Sequence, residues 1–263
     1  TQTITPSPGT VGTSQLSPSL TNVPFFGGST IGAGNATGMK NRIINGGMVI
    51  DQRNAGASIT PTGNTFTVDR WNAITPTLSS TFSVQQNAGS VTPPTGFANY
   101  LGLTSLAATT ISSADRSSIK QVIEGYNTAD FAFGTAGAKT VTLSFWARSS
   151  LTGTFGGALQ NGASDRAYPF AYTISTANTW EHKAITVVGD TTGTWAATNT
   201  GGMQVYFNVG TGSTYEGAAG SWQSGDLRKP TGAIDILATN GATFYVTGVQ
   251  LEEGNAATSF EFR

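Results

Sequence analysis

The sequence predicts an all-β body, either a sandwich or a barrel, that follows an extended N-terminal arm. Short segments rich in Val, Ile, Thr, Phe and Tyr recur along the chain, with Gly, Asn, Asp and Ser clusters between them, a pattern typical of many short strands. No segment shows the 3.6-residue periodicity of an amphipathic helix. The first 38 residues differ from the rest, because they contain four prolines and no Asp, Glu, Lys or Arg.

The N-terminal segment, residues 1–38, has no sustained periodicity, and its prolines exclude long helices and central strands. A disordered leader is one interpretation, but disordered tails are usually kept in solution by charge, and this segment has none. The composition therefore favours an arm that lies in extended form on another chain. We expect its anchors to be the isolated apolar residues Leu16, Leu20, Phe25 and Phe26.

Residues 39–263 are predicted to form one β domain. Its predicted strands are 42–51, 65–73, 80–86, 99–105, 117–124, 139–148, 167–175, 180–188, 203–209, 233–238, 243–251 and 258–262. The Asn240-Gly241 pair that precedes the strand at 243–251 is the strongest hairpin signal in the chain.

Alternation along two of these strands separates a core face from an outer face. The predicted core residues are Val141, Leu143, Phe145 and Ala147 in one strand and Val205, Phe207 and Val209 in the other. The predicted outer residues are Thr142, Ser144, Trp146, Arg148, Gln204, Tyr206 and Asn208. Because this outer face carries large aromatic side chains, we expect another surface to cover it.

The composition excludes several classes of function. The chain of 263 residues has no cysteine and a net charge of −1 from 13 basic and 14 acidic side chains. The lack of cysteine excludes disulfides, zinc–thiolate sites and thiol nucleophiles. Nucleic acid and anionic lipid need a concentrated basic surface, so neither is expected as a partner. Only 10% of the residues are charged, which favours a protein held in an assembly.

The sequence contains no apolar run of membrane-spanning length, so membrane insertion is not expected. Its N-terminus also lacks the basic start and the apolar stretch of a signal peptide. We therefore expect synthesis in the cytoplasm without export by that route.

Catalytic motifs are absent from the sequence, so we expect no enzymatic activity, no cofactor and no metal. His182 is the single histidine, so a Ser-His-Asp triad would depend on it, and no serine lies in a Gly-x-Ser-x-Gly motif. Glu252 and Glu253 are adjacent strand residues that point to opposite faces, so they cannot act together on one glycosidic bond. The scattered aspartates are interpreted as turn residues rather than calcium ligands; they are Asp69, Asp115, Asp130 and Asp190.

A series of short motifs follows in order along residues 41–262. The motifs are Asn41-Arg42-Ile43-Ile44-Asn45-Gly46-Gly47-Met48, Asp51-Gln52-Arg53-Asn54, Val68-Asp69-Arg70-Trp71, Gln121-Val122-Ile123-Glu124-Gly125, Val141-Thr142-Leu143-Ser144-Phe145-Trp146-Ala147-Arg148-Ser149, Asn178-Thr179-Trp180-Glu181 and Gly248-Val249-Gln250-Leu251-Glu252-Glu253-Gly254. The series resembles the jelly-roll module of phage tail-fibre and receptor-binding proteins and is more distantly similar to carbohydrate-binding modules of bacterial polysaccharide hydrolases. The resemblance implies an antiparallel two-sheet jelly-roll β-sandwich with a binding or structural role, commonly in a trimer.

Two surfaces are candidates for glycan binding, since sugars stack on aromatic rings and bond to polar side chains. One is the predicted outer face with Trp146, Arg148, Gln204 and Tyr206, for which a subunit interface is the alternative. The other is the loop at 212–229, which carries Tyr215, Trp222 and Asp226. The alternative for this loop is that it folds over the sandwich, with Trp222 closing one end.

These observations and the resemblance together predict a phage virion fibre or spike protein on the tail or the capsid surface. We expect a homotrimer whose arm attaches to other virion proteins and whose body contacts a polysaccharide of the host cell surface. A purely structural capsid-decorating or tail-connecting protein without its own ligand is the alternative. A spike enzyme that degrades polysaccharide is a third hypothesis.

Overall fold

Short strands dominate the computed structural model of the protein, which describes residues 39–263. The arm predicted for residues 1–38 and its anchors Leu16, Leu20, Phe25 and Phe26 lie outside the described residues. Strands are found at β1 (Gly63–Phe66), β2 (Asn72–Thr75), β3 (Phe82–Gln86), β4 (Leu101–Ser105), β5 (Arg116–Glu124), β6 (Val141–Ser149), β7 (Gly153–Asn161), β8 (Arg166–Ile174), β9 (Glu181–Val187), β10 (Gly201–Thr211), β11 (Glu216–Gly217), β12 (Gln223–Ser224), β13 (Lys229–Pro230) and β14 (Thr243–Glu253).

The helical segments of the described region are 3₁₀ turns of a few residues each. They comprise Ala88–Ser90, Gly125–Asn127, Ala129–Phe131, Ser213–Tyr215 and Ile236–Ala238. No helix in residues 39–263 has the length and apolar character needed to span a membrane.

Two antiparallel sheets form the sandwich. The larger sheet has seven strands in the order β1-β2-β5-β10-β7-β8-β12, and the smaller sheet has five in the order β3-β4-β14-β6-β9. All strand pairs within these two sheets are antiparallel, while β11 and β13 form a short parallel pair apart from them. The predicted antiparallel two-sheet sandwich is therefore confirmed.

The core lies between the two sheets, where the alternation predicted it. The predicted core residues of β6 and β10 are all buried: Val141, Leu143, Phe145, Ala147, Val205, Phe207 and Val209. Phe145 of the smaller sheet and Phe207 of the larger sheet meet with ring centroids 5.0 Å apart. Trp71 also packs against Phe207, with ring centroids 6.1 Å apart. Its indole N–H donates a hydrogen bond to the backbone oxygen of Asn45.

Three predicted strands are wrong, because their backbone hydrogen bonds go elsewhere. In 42–51, Asn45 and Met48 have positive φ angles of 57° and 56°, which interrupt an extended chain. The segment 233–238 contains the 3₁₀ turn Ile236–Ala238. In 258–262, side chains of β14 rather than a neighbouring strand accept backbone N–H groups.

Two further differences concern β1, β2 and β7. The predicted strand 65–73 divides into β1 and β2 around a turn in which Arg70 has a φ of 74°. Strand β7 was not predicted at all, since its sequence Gly-Thr-Phe-Gly-Gly-Ala-Leu-Gln-Asn contains glycines that are typical of loops.

Candidate functional site

The candidate surface predicted on β6 and β10 is not one surface, so this prediction is wrong. Trp146 and Arg148 lie on β6 in the smaller sheet, whereas Gln204 and Tyr206 lie on β10 in the larger sheet. The outer faces of the two sheets of a sandwich point in opposite directions. The four side chains therefore cannot contact one ligand.

The outer face of β10 is covered by residues 212–235 of the same chain, here named the covering loop. Tyr206 is only 1% exposed, and its hydroxyl donates a hydrogen bond of 2.9 Å to Oε1 of Gln204. The guanidinium of Arg228, from the covering loop, lies 4.9 Å from the centre of the Tyr206 ring. Burial raises the pKa of Tyr206. Gln204 and Tyr206 are thus parts of the packing under this loop.

Tyr215 and Asp226 belong to the covering loop and hold it together. Asp226 accepts two hydrogen bonds from Arg228, at 2.9 and 3.0 Å, and one from Gln160 of β7 at 3.0 Å. Although burial alone would raise the pKa of Asp226, the hydrogen bond and charge of Arg228 lower it on balance. The Tyr215 ring lies 5.2 Å from the guanidinium of Arg116. These contacts fasten the loop to the larger sheet.

Trp222 closes one end of the sandwich, as the alternative interpretation of the loop expected. Its ring centroid lies 5.3 Å from Trp195, 5.3 Å from Tyr168 and 5.7 Å from Phe133. Its indole N–H donates a hydrogen bond of 2.7 Å to the backbone oxygen of Val188. Ring packing of this kind stabilises a fold.

Trp222→Ala is expected to lower the free energy of unfolding by about 2 kcal/mol, because a partly buried ring loses its aromatic contacts. Trp222→Phe keeps a ring in the cluster and should lose less. Urea unfolding of the two variants and the parent measures both effects. Equal stability of Trp222→Ala and the parent would show that the cluster does not close the sandwich.

The outer face of the smaller sheet carries an open groove of about 540 Å³, here named the Trp146 groove. Strands β6, β9 and β14 form its floor, while residues 95–97 and the C-terminal residues 258–262 form its walls. It is lined by Thr95, Gly96, Phe97, Ser144, Trp146, His182, Gly248, Thr258, Ser259, Phe260 and Phe262.

The aromatic residues in the floor of the groove are brought together by strand pairing. Trp146 on β6 is paired with His182 on β9, and their ring centroids are 5.3 Å apart. Gly248 interrupts the register of β14 with a φ of 62°. A Cβ atom there would come within 2.5 Å of the Phe97 ring, so this glycine lets Phe97 lie directly on the sheet.

The aromatic wall of the groove consists of Phe97 together with Phe260 and Phe262, which are distant from it in sequence. The ring centroids of Phe97 and Phe260 are 4.9 Å apart, and those of Phe260 and Phe262 are 4.8 Å apart, both in edge-to-face arrangements. Phe262 is 57% exposed. The wall therefore offers ring surface to a ligand as well as to the protein.

Polar side chains of β14 hold the C-terminal segment in place. Gln250 accepts a hydrogen bond from the backbone N–H of Glu261, and Glu252 accepts two from the N–H and hydroxyl of Thr258. Glu252 is 2% exposed, whereas Glu253 faces solvent and forms an ion pair of 2.8 Å with Lys139. Of the two glutamates, Glu252 thus has a supporting role in the groove.

Of the eleven residues that line the Trp146 groove, none is Asp, Glu, Lys or Arg, and five carry aromatic rings. Burial, followed by the charge of Lys183, lowers the pKa of His182, so its imidazole is neutral at pH 7 and both donates and accepts hydrogen bonds. Ser144 and Ser259 add hydroxyl groups. Such a lining suits a neutral ligand that has both apolar faces and hydroxyl groups.

Only part of this groove was predicted from the sequence. Trp146 was predicted as a contact residue, and it lines the groove. Arg148 lies outside the lining, where its Nε donates to the backbone oxygen of Asn178 at 2.9 Å. Phe97, Phe260 and His182 were not predicted, and alternation in 258–262 had suggested a strand rather than a wall.

The described region contains no cluster of side chains that could bind a metal ion. Within residues 39–263, no group of three or more His, Cys, Asp or Glu side chains is placed to hold a metal ion. Asp190 instead forms a bidentate pair with Arg166, at 2.7 and 2.8 Å. Asp115 accepts a hydrogen bond from the backbone N–H of Ser112.

Comparison with solved structures finds distantly similar structures at low sequence identity. The chain is 9% identical to a putative sugar binding protein from Bacteroides thetaiotaomicron, covering 81% of this chain and 100% of that chain, with a TM-score of 0.47. It is 8% identical to TmCBM61, solved in complex with beta-1,4-galactotriose, covering 82% and 100%, with a TM-score of 0.40.

A phage protein is also among the similar structures. The chain is 12% identical to the enzymatically active domain of tailspike protein 4 of bacteriophage CBA120, with 81% of this chain covered and a TM-score of 0.38. It spans 21% of that chain. No protein-family model and no curated protein sequence match it. The chain thus has distant structural similarity to carbohydrate-binding modules and to a tailspike domain.

Proposed function

We propose that this protein binds a neutral glycan in the Trp146 groove. The observation that carries the proposal is the placement of Trp146 beside the imidazole of His182 in the floor, with the exposed ring of Phe262 in a wall of the same groove. Pyranose rings present apolar C–H faces that pack on aromatic rings, and their hydroxyl groups bond to small polar side chains. The groove of about 540 Å³ lies within the usual size range of ligand sites.

The role of the whole protein is proposed from the sequence. The motif series along residues 41–262 and the charge-free arm at 1–38 support a subunit of a phage fibre or spike, made in the host cytoplasm and assembled as a homotrimer. The arm would attach to other virion proteins on the tail or the capsid. Light scattering tests the trimer, and labelling of intact particles tests the location.

Two other functions remain as alternatives to glycan binding. A capsid-decorating or tail-connecting protein would bind no glycan, and its body would be found between virion proteins. A polysaccharide-degrading spike would release reducing sugar from host polysaccharide, whereas we propose a protein without enzymatic activity. Incubation of the protein with host polysaccharide, followed by a reducing-sugar assay, separates binding from degradation.

Trp146→Ala is expected to weaken glycan binding roughly 10- to 30-fold, since aromatic anchors at the centre of a binding site contribute about 2 kcal/mol. A glycan array identifies the ligand, and calorimetric titration of the parent and the variant measures the change in Kd. Phe262→Ala, at an exposed position of the wall, should also weaken binding.

The matched control for this prediction is Trp195→Ala. Trp195 lies in the aromatic cluster with Phe133 and Trp222, away from the groove lining, so its loss should leave Kd within about twofold of the parent. A parent protein that binds no glycan on the array, or a Trp146→Ala variant with unchanged Kd, would refute the proposal.

A further inference from the structure

A second groove lies on the outer face of the larger sheet, opposite to the Trp146 groove. A cavity of about 300 Å³ is lined by Asn64, Phe66, Arg70, Asn72, Lys120, Val122, Glu124, Asn199 and Gly201. A neighbouring cavity of about 400 Å³ is lined by Gln52, Arg53, Phe66, Asp69 and Arg70. The two cavities share Phe66 and Arg70 and are treated together as the Phe66 groove.

Strand register builds the floor of this groove. Phe66 of β1 pairs with Asn72 of β2, and Asn72 pairs with Lys120 of β5. Directly paired residues on neighbouring strands project from the same face, so an aromatic ring, an amide and an ammonium group lie in one row. A hydrogen bond of 2.7 Å joins the amides of Asn64 and Asn72.

Phe66 provides an exposed aromatic platform in the row. It is 44% exposed, although a large apolar side chain on a strand is more often buried. The guanidinium of Arg53 lies 4.6 Å from the centre of its ring. One face of the ring is thus covered by a cation, while the ring keeps exposed surface that a ligand can contact.

The charges around the groove are not balanced. Three cations line it, Arg53, Arg70 and Lys120, against the two carboxylates of Asp69 and Glu124. Arg70 and Glu124 neutralise each other in an ion pair of 2.6 Å.

The other two cations form no direct ion pair within the described region, although the charge of Asp226 acts on Lys120. Arg53 contacts the Phe66 ring, and Lys120 donates a hydrogen bond of 3.0 Å to Oε1 of Gln204. Lys120 is partly buried, and burial together with the charge of Arg228 lowers its pKa. An ammonium group in such a site is stabilised by an incoming anion.

We propose that the Phe66 groove is a second binding site, specific for a carboxylate-bearing sugar residue such as a uronate in an acidic polysaccharide. Phe66 packs on the pyranose ring, Lys120 and Arg53 bind the carboxylate, and the amides of Asn64 and Asn72 bond to hydroxyl groups. This site does not depend on the Trp146 groove, because the two grooves lie on opposite sheets. One chain therefore presents two sugar sites of different charge preference.

The test uses a panel of oligomers of galacturonate, glucuronate, mannuronate and sialate, each paired with its methyl ester, in calorimetric titrations of the full chain. We expect at least one acidic oligomer to bind, and its ester to bind at least tenfold more weakly. Lys120→Gln should weaken binding of the acid by about tenfold or more, the size of one charge-assisted hydrogen bond. Arg53→Gln, at an exposed position, should act in the same direction, and it also removes the contact of the guanidinium with the Phe66 ring.

Lys139→Gln is the matched control, because Lys139 is a half-exposed lysine on the other side of the sandwich that pairs with Glu253. It should leave Kd for the acid unchanged, as should Trp146→Ala. Inorganic phosphate at the same concentration should not compete, which separates a sugar site from a simple anion site. Failure of every acid to bind, equal binding of acid and ester, or loss with Trp146→Ala but not with Lys120→Gln would overturn the proposal.

Discussion

Asp235→Ala should lower the free energy of unfolding by about 3–5 kcal/mol, because it removes a main partner of a buried charge. The side chain of Lys229 is 3% exposed, and its ammonium lies 2.6 Å from the carboxylate of Asp235 and 3.1 Å from that of Glu216. Asp235 also accepts hydrogen bonds from the amide of Asn208 and the N–H of Thr211, at 2.9 and 3.0 Å. One carboxylate thus fixes the end of the covering loop to β10.

Urea unfolding of Asp235→Ala measures this loss, with Glu253→Ala as the control. Glu253 forms an ion pair with Lys139 in which both side chains are more than 40% exposed, and such a pair contributes less than about 1 kcal/mol. Adding Lys229→Met to Asp235→Ala should recover part of the stability, since the double variant removes the lysine charge as well. Equal losses of stability for Asp235→Ala and Glu253→Ala would contradict the role of Asp235 as a partner of the buried Lys229 ammonium.

The same substitution bears on the residues that the sequence had suggested for glycan binding. Gln204 and Tyr206 are buried because the covering loop lies over them. If Asp235 fastens that loop, amide hydrogen exchange in residues 212–235 should become faster in Asp235→Ala than the stability loss alone explains, because local opening then requires less free energy.

The fold class could be predicted because a two-residue period marks strands directly. The alternation in β6 and β10 correctly separated core from outer residues, as the burial of Phe145 and Phe207 shows. Periodicity does not say which sheet a strand joins, however. Trp146 and Tyr206 both alternate outward, yet they lie on opposite sides of the sandwich. Sheet membership depends on long-range pairing, for which neither strand carries a local signal.

The Trp146 groove also could not be predicted from periodicity, because it depends on contacts between segments that are distant in the sequence. Its rings come from residue 97, from β6 and from the C-terminal segment, and the pairing of β14 with β6 helps to bring these segments together. Alternation of Phe260 and Phe262 suggested a strand, but the side chains of Gln250 and Glu252 bind that segment instead. A sequence pattern identifies such rings as apolar without indicating that they form a wall.

Strand β7 was missed because its glycines are usually a sign of a loop, yet the packing explains why one of them is required. Gly157 lies opposite Phe207 of β10. A Cβ atom at Gly157 would overlap the backbone oxygen of Tyr206 and come within 2.7 Å of the Phe170 ring. Because Phe170 packs against Phe207 in the core, the glycine lets this ring lie against the backbone of its neighbouring strand.

Gly157→Ala is therefore expected to lower the free energy of unfolding by about 3 kcal/mol, at the upper end of the cost of overpacking a core. The obstructing atom belongs to the backbone of a central strand, so relief requires β7 and β10 to move apart. Gly137→Ala is the control, because a Cβ atom there would meet only the Thr135 hydroxyl at 3.6 Å, and its effect should stay within about 0.5 kcal/mol. Urea unfolding compares the two variants, and a Gly157→Ala protein as stable as Gly137→Ala would mean that β7 and β10 are not packed this closely.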